Sequence, residues 1–172
     1  APGFSGLVGV DGKEHGLADY AGAKVVVVVF TCNHCPVAKA YEDRLIALQA
    51  DYKAKGVQLI AINSNSPKKA PQDSLEKMKE RAAGKGLGDW RKTDEPFNYP
   101  YLVDGTQEVA KAYGATCTPH VFVLDKDRNV AYAGAVDDSM APGKVEQHFL
   151  RDALDAILEG KQPEKAVTKQ FG

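Results

Sequence analysis

Two segments of the chain are apolar at nearly every position, and an amphipathic segment separates them. KVVVVVF covers residues 24–30 and VQLIAIN covers residues 57–63. Runs of β-branched residues without alternation predict strands that are buried on both faces. From Pro36 to Lys55 apolar residues recur every three or four positions and Gly56 follows, which predicts a helix with a glycine cap. The three segments together predict a β-α-β unit with parallel strands and a right-handed crossover.

Shorter elements are predicted on both sides of this unit. The dipeptide Asp11-Gly12 between two apolar segments indicates an N-terminal β-hairpin. A helix is expected to carry Leu75, Met78 and Ala82, with Asp73 at the start of a capping-box spacing. The other predicted elements are a strand at YPYLVD, a short helix at TQEVAKAYG with Thr106 as its N-cap, a β-hairpin folded at residues 126–129, and a last helix marked by Val145, Phe149, Ala153, Leu154 and Ile157.

The order of these elements predicts an α/β fold with a central mixed β-sheet flanked by helices and an N-terminal β-hairpin. A length of 172 residues is typical of one domain, so we assign residues 1–172 to a single domain. Residues 161–172 show no hydrophobic period and are expected to form an irregular C-terminal tail. The stretch DWRKTDEPFN is expected to be irregular, with Trp90 and Phe97 packed against the body of the domain.

Charge and hydropathy exclude several classes of partner. The chain has 22 basic and 23 acidic residues and a net charge of −1, which does not indicate nucleic acid or an anionic membrane as a partner. The longest apolar run, Val25 to Phe30, is far shorter than the ~20 residues of a membrane-spanning helix. The chain begins with Ala1-Pro2 and not with Met, so we expect that a preceding segment has been removed. This start favours an extracytoplasmic compartment, periplasmic or secreted, over the cytoplasm.

Candidate chemistry lies in the stretch FTCNHCP, where Cys32 follows the first buried strand and Cys35 is expected in the first turn of the long helix. The N-terminal end of a helix favours a thiolate over a thiol, so a cysteine at this position should have a lowered pKa. A second cysteine three residues further on is close enough to resolve a mixed disulfide. His34 lies between the two and is expected to stabilise the thiolate further. The position after a strand and at the start of a helix therefore predicts a redox-active pair.

A metal site is the main alternative to redox chemistry. Tetrahedral zinc needs four ligands, and Cys117 and His120 are the residues that would have to complete a site with Cys32 and Cys35. The sequence has no second C-x-x-C and no paired histidines, so we favour the redox pair and predict no bound metal and no cofactor. A copper-carrying module is a further alternative, although such carriers space their cysteines one residue wider.

Four stretches of the chain resemble the thioredoxin-like superfamily. Within it the chain is most similar to the redoxin, or peroxiredoxin-like, branch, which is related to the alkyl hydroperoxide reductases and thiol-specific antioxidant proteins. The resemblance extends over nearly the whole chain and is carried by FTCNHCPVAKAYEDRL, DSLEKMKERAA, YPYLVDGTQEVAKAYGATCTP and FLRDALDAI. It implies a thioredoxin-like fold and thiol–disulfide chemistry.

The resemblance also implies a role for each residue of the site. Cys32 would be the nucleophile and Cys35 the resolving thiol. Pro119 would be a cis-proline that faces them, and Thr118 would present its backbone to a bound substrate. By spacing alone an ordinary trans proline is favoured at that position. Cys117, the third cysteine, would lie near the disulfide, or would simply be a small buried residue beside the loop.

The chain departs from the motif of peroxiredoxins, and this affects which activity is expected. Peroxiredoxins carry P-x-x-x-T-x-x-C, but counting back from Cys32 places Val29 and Val25 at the threonine and proline positions. Counting back from Cys35 places Cys32 and Val28 there, so efficient peroxidase activity is not expected. We therefore predict a thiol–disulfide oxidoreductase that acts on protein or small-molecule disulfides with a separate redox partner. A metal-binding module and a thiol peroxidase are the alternatives.

Because His34 replaces the proline of thioredoxin, the reduction potential is expected to lie above thioredoxin's approximately −270 mV.

Overall fold

The computed structural model describes residues 1–86, 88 and 91–172. Within these residues the chain forms seven strands and four α-helices. The strands are β1 (Leu7–Gly9), β2 (Glu14–His15), β3 (Val25–Phe30), β4 (Val57–Asn63), β5 (Tyr101–Val103), β6 (His120–Leu124) and β7 (Val130–Gly134). The helices are α1 (Pro36–Lys53), α2 (Leu75–Ala82), α3 (Glu108–Tyr113) and α4 (Phe149–Leu158).

The strands form one mixed sheet in the order β2-β1-β5-β4-β3-β6-β7. Strand β3 lies inside the sheet, parallel to β4 and antiparallel to β6. Its valines alternate between two apolar cores: one core contains residues of α1, α2 and α4, and the other contains residues of α3. Helices therefore cover both faces of β3, which explains its uninterrupted run of valines. The predicted α/β class, the mixed sheet and the N-terminal hairpin are confirmed.

The pairing of β3 with β6 brings two distant loops together. Phe30, the last residue of β3, is paired with His120, the first residue of β6. The segment after Phe30 and the segment before His120 therefore leave the sheet at the same edge. These segments contain the CNHC stretch and the dipeptide Thr118-Pro119.

Three helix starts differ from the sequence predictions. Helix α4 begins at Phe149, so Val145 lies outside it. Helix α3 has Gln107 and not Thr106 as its N-cap. Ser74 caps α2, where its hydroxyl accepts a hydrogen bond from the Lys77 N–H, and Asp73 does not act as the cap. Sequence spacing alone does not identify an N-cap, because a side chain at the right spacing can form tertiary contacts instead.

Two aromatic residues before β5, Trp90 and Phe97, were expected to pack against the body of the domain. Phe97 packs against the rings of Tyr99 and Tyr101, as expected. The packing expected for Trp90 lies outside the described residues. None of the helices in the described ranges is both long enough and apolar enough to cross a membrane.

Candidate active site

The CNHC segment connects the end of β3 to the start of α1. Cys35 is the N-cap of α1 and Pro36 is its first residue, a position that suits proline because the N–H there needs no helical partner. Cys35 therefore precedes the first helical turn, in contrast to the sequence prediction that placed it within that turn. The helix start, with its free N–H groups and positive dipole end, lies at Cys35, and the backbone N–H of Cys35 donates to the Cys32 sulfur.

Both sulfur atoms lie against Thr118. The Cys32 Sγ is 3.2 Å from the Thr118 hydroxyl oxygen. The Cys35 thiol donates to the Thr118 carbonyl oxygen at 3.4 Å. The peptide bond between Thr118 and Pro119 is cis, as the family resemblance implies and in contrast to the trans form that spacing alone favours.

The Cys32 thiol does not have the lowered pKa that was predicted for a cysteine at a helix start. Only 1% of the residue is exposed, and this burial raises the pKa of Cys32. Hydrogen bonds from the Thr118 side chain and the Cys35 backbone oppose the shift, whereas the negative charge of Asp73 adds to it. The prediction is wrong because Cys32, two residues beyond the end of β3, is still buried.

A cleft of about 480 Å³ opens beside the loop. Its walls include Cys35, His34 and Thr118 from the thiol site together with Cys117, and Cys32 is not among the lining residues. Cys35 is therefore the thiol of the pair that an incoming molecule meets first. The resemblance implied the opposite order, with Cys32 as the attacking thiol.

The carboxylate of Asp73 binds the CNHC segment through hydrogen bonds. The sequence analysis did not identify Asp73 as a residue of the site. Its side chain is fully buried, and it accepts hydrogen bonds from the Asn33 backbone N–H and from His34 Nδ1, both at 2.6 Å. The side-chain amides of Asn63 and Asn65 donate to the same carboxylate at 3.0 and 3.1 Å. Asp73 lies 39 residues from His34, so no local spacing signals the contact.

Asn33 gives the segment a second attachment. Its amide group donates to the Gln72 carbonyl oxygen at 2.7 Å, and its Oδ1 accepts from the Tyr101 hydroxyl at 2.9 Å. Asn33 is itself buried. The residues between the two cysteines are therefore fixed by side chains from two other parts of the chain, which holds the thiols in a defined geometry.

Cys117 lies on the facing loop, and His120 begins strand β6 directly after that loop. Cys117 is half-buried, and burial raises the pKa of its thiol. His120 accepts a hydrogen bond from the Thr116 N–H at 3.3 Å, and burial lowers its pKa. His120 therefore supports the backbone of the loop, while Cys117 lines the same cleft as Cys35.

A metal site made of Cys32, Cys35, Cys117 and His120 does not form among the described residues. The group there with suitable donor atoms is Cys32, His34 and Asp73, whose atoms lie within 4.8 Å of one another. In that group His34 Nδ1 is bonded directly to the Asp73 carboxylate at 2.6 Å, so a metal ion would have to separate the two. Tetrahedral zinc also needs a fourth ligand. The geometry favours a hydrogen-bonded pair over a metal centre.

Comparison with known proteins identifies relatives over most of the chain. The family model described as Redoxin matches residues 1–148. The thiol-disulfide oxidoreductases ResA of Geobacillus thermodenitrificans and Geobacillus kaustophilus are 27% and 28% identical over 151 residues. Each alignment covers 87% of this chain and 74% of the relative.

Solved structures agree with the fold. A hypothetical protein from Sinorhizobium meliloti has a TM-score of 0.86 at 32% identity, over 100% of this chain and 89% of that one. An uncharacterized conserved protein from Geobacillus kaustophilus has a TM-score of 0.84 at 40% identity, over 99% and 85% of the two chains. A putative thiol:disulfide interchange protein DsbE from Chlorobium tepidum has a TM-score of 0.58 at 25% identity, over 76% and 78%. With its thioredoxin-like fold and a family match that covers residues 1–148, the chain belongs to the Redoxin family.

Proposed function

We propose that this protein is a thiol–disulfide oxidoreductase that cycles Cys32 and Cys35 between a dithiol and a disulfide. The observation that carries the proposal is the placement of both sulfurs against Thr118, at 3.2 Å and 3.4 Å, with Cys35 at a helix N-cap and in an open cleft. The name of the ResA relatives supports the same reaction type.

The two thiols have different tasks in this proposal. Cys35 is the attacking thiol, because it lines the cleft and the helix N-terminus beside it favours negative charge. Cys32 is the resolving thiol in this proposal, because it is buried and burial raises its pKa. The proposal takes the opposite order to the one that the family resemblance implies.

The reaction begins when the Cys35 thiolate attacks one sulfur of a substrate disulfide. The substrate S–S bond breaks, its electron pair leaves with the distal sulfur, and a mixed disulfide forms on Cys35. Cys32 then loses its proton and attacks the Cys35 sulfur, which releases the second substrate thiol and leaves a Cys32–Cys35 disulfide. Two electrons pass from the protein to the substrate, and a separate redox partner has to restore the dithiol. Protein and small-molecule disulfides are the substrate class.

The test compares two single variants of the reduced protein with a small disulfide. Cys35→Ser should not react at the active site, whereas Cys32→Ser should form a mixed disulfide that persists, because the resolving thiol is missing. Intact-protein mass spectrometry distinguishes the two results. His148→Gln, an exposed residue at the start of α4, is the control and should behave as the unchanged protein.

Two results would overturn the proposal. A Cys35→Ser protein that still turns over the disulfide would remove Cys35 from the reaction, and a persistent mixed disulfide on Cys32 would restore the opposite order. Metal analysis of protein prepared without chelator gives an independent check. Stoichiometric copper or zinc that is lost in Cys35→Ser would favour a metal-binding module.

A further inference from the structure

His34 and Asp73 form a pair in which one residue is open to the cleft and the other is closed off from solvent. The His34 side chain is 46% exposed and lines the cleft beside Cys35, whereas the Asp73 side chain is 0% exposed. A carboxylate can only accept, so the 2.6 Å contact between them is a hydrogen bond donated by His34 Nδ1.

This hydrogen bond fixes which ring nitrogen can exchange a proton. With Nδ1–H held by Asp73, the imidazole is kept in one tautomer and one orientation. In the part of the chain that the structure describes, His34 Nε2 makes no hydrogen bond, so it is the nitrogen left to the cleft. His34 lines the same cleft as the Cys35 thiol, and one of its ring nitrogens lies within 4.8 Å of the Cys32 sulfur. A histidine oriented by a buried carboxylate in a cleft with a nucleophilic thiol is the arrangement expected of a general acid or base.

We propose that His34 is the proton donor to the thiolate that leaves the substrate, and that Asp73 is the positioning residue that orients it. This inference rests on the proposed function, because it concerns the same attack by Cys35 on a disulfide. It assigns to His34 a task different from stabilising a cysteine thiolate.

The proton balance follows the two steps of the reaction. The step starts from the imidazolium form of His34, which carries Nδ1–H on Asp73 and a second proton on Nε2. As the Cys35–substrate bond forms and the substrate S–S bond breaks, the Nε2 proton moves to the departing sulfur, which leaves as a thiol. His34 is then neutral, takes up the proton that Cys32 loses when it attacks Cys35, and passes it to the second substrate sulfur. The protein has then given up two electrons and two protons, and the redox partner returns both when it restores the dithiol.

Other titratable groups share this environment and must be separated from His34 in any test. Cys35, Cys117 and Lys111 line the same cleft, and Cys32 and Asp73 lie at its buried side. Because several of these groups titrate, a pH profile alone would not identify the proton donor. Dependence on the leaving group is more specific.

The experiment therefore measures how fast the reduced protein reacts with two disulfides that differ in leaving group. Hydroxyethyl disulfide releases an alkyl thiolate that is strongly basic and needs a proton. Dithiobis-nitrobenzoate releases an aromatic thiolate that is stable without one. The variant is His34→Gln, and His148→Gln is the matched histidine control away from the cleft.

His34→Gln should slow the reaction with hydroxyethyl disulfide by about 100-fold, the lower end of the usual contribution of general acid catalysis. With dithiobis-nitrobenzoate the same variant should change the rate little. Equal slowing with both reagents would mean that His34 acts on the Cys35 thiolate, and unchanged rates with both would mean that it takes no part. Either result overturns the inference.

Asp73→Asn tests the positioning residue. It should show the same selective loss with hydroxyethyl disulfide. The strongly hydrogen-bonded Nδ1 proton of His34 should be visible by NMR in the unchanged protein and lost in the variant. A selective loss in His34→Gln without one in Asp73→Asn would remove Asp73 from the proposal, and if Asp73→Asn does not fold, His34→Gln alone decides the role of His34.

Failure of this inference is distinguishable from failure of the proposed function. For this comparison every variant also carries Cys117→Ser, which removes the other cleft thiol. If the proposed function is wrong, Cys35→Ser still reacts with both disulfides. If only the inference is wrong, Cys35→Ser is inactive toward both while His34→Gln shows no preference between them.

Discussion

At the residue scale, three sulfur atoms lie around the Thr118 loop and differ in how much solvent reaches them. Cys35 and Cys117 both line the cleft, whereas Cys32 is buried. Burial raises the pKa of both Cys117 and Cys32. Since the thiolate is the reactive form, access and pKa together should separate the three cysteines in their reactivity.

We expect iodoacetamide to modify the cysteines in the order Cys35, Cys117, Cys32. Cys35 comes first because it is accessible and caps a helix, and Cys32 comes last because it is buried and has a raised pKa. A raised pKa means that less thiolate is present at neutral pH, so modification of Cys117 and Cys32 should accelerate as the pH rises. Peptide mapping over time measures the order. Modification of Cys32 before Cys35 would contradict the proposed roles.

The sequence predicts some features of the thiol site and not others. The spacing of Cys32 and Cys35 after a buried strand was sufficient to predict where the chemistry lies. The proposed roles of the two thiols rest instead on features of the folded chain, the helix beginning at Pro36 and the burial of Cys32. Asp73 was missed because its partners come from tertiary contacts, while its sequence neighbours suggested a helix cap.

At the scale of elements, α1 carries the thiol site and is fixed to α2 by buried charges. Glu42 on α1 accepts hydrogen bonds from the guanidinium of Arg81 on α2, at 2.5 and 2.9 Å. Arg91 Nε lies 3.7 Å from Glu42 and 2.7 Å from Asp43. Glu42 and both arginines are buried.

Glu42→Ala should lower the free energy of unfolding by about 3–5 kcal/mol, because it leaves the buried guanidinium of Arg81 without its counter-charge. Denaturant unfolding monitored by circular dichroism measures this. Lys77→Ala is the matched control, since Lys77 forms an exposed ion pair with Glu80 on α2 and should change stability little. Similar stability of the two variants would show that the buried network does not hold α1 to α2.

Regular elements were the best-predicted part of the fold. The strands β3 and β4 and the long helix α1 follow from hydrophobic period alone, because each buries a continuous face or both faces in the core. The helix starts of α3 and α4 did not, since a cap depends on a few hydrogen bonds. Strand β3 pairs in parallel with β4 and antiparallel with β6. The β-α-β pattern of the sequence predicts the parallel pair. The antiparallel pair joins residues that are distant in the chain, and no local pattern indicates it.

At the scale of the whole molecule, the C-terminal tail returns from α4 to the thiol cleft. Val167 forms an isolated parallel bridge with Ala133, a residue of β7. The Thr168 hydroxyl is 2.7 Å from the Tyr132 hydroxyl and accepts from the Ala135 N–H at 3.0 Å. Gln170 donates to the Thr116 hydroxyl at 2.8 Å, and Gly172 lines the cleft. The tail predicted as irregular is thus held to the sheet and to the Thr118 loop.

A chain that ends at Ala166 should therefore be less stable and have a more open cleft. It loses the hydrogen bonds of Thr168 and the packing of Phe171 beside Tyr41, which together should lower the free energy of unfolding by about 2–4 kcal/mol. Without Gly172 at the cleft, Cys35 and Cys117 should also be modified faster by iodoacetamide.

Denaturant unfolding and peptide mapping measure the two effects separately. Val167→Ser is the control, because this side chain belongs to the tail but the residue is 78% exposed, so the substitution should alter neither quantity. A shortened chain with unchanged stability and unchanged modification rates would mean that the tail rests on the sheet without contributing to it. Lower stability with unchanged rates would confine its contribution to β7 and exclude it from the cleft. Lower stability together with faster modification of Cys35 and Cys117 is the result expected if the tail connects the sheet to the wall of the cleft.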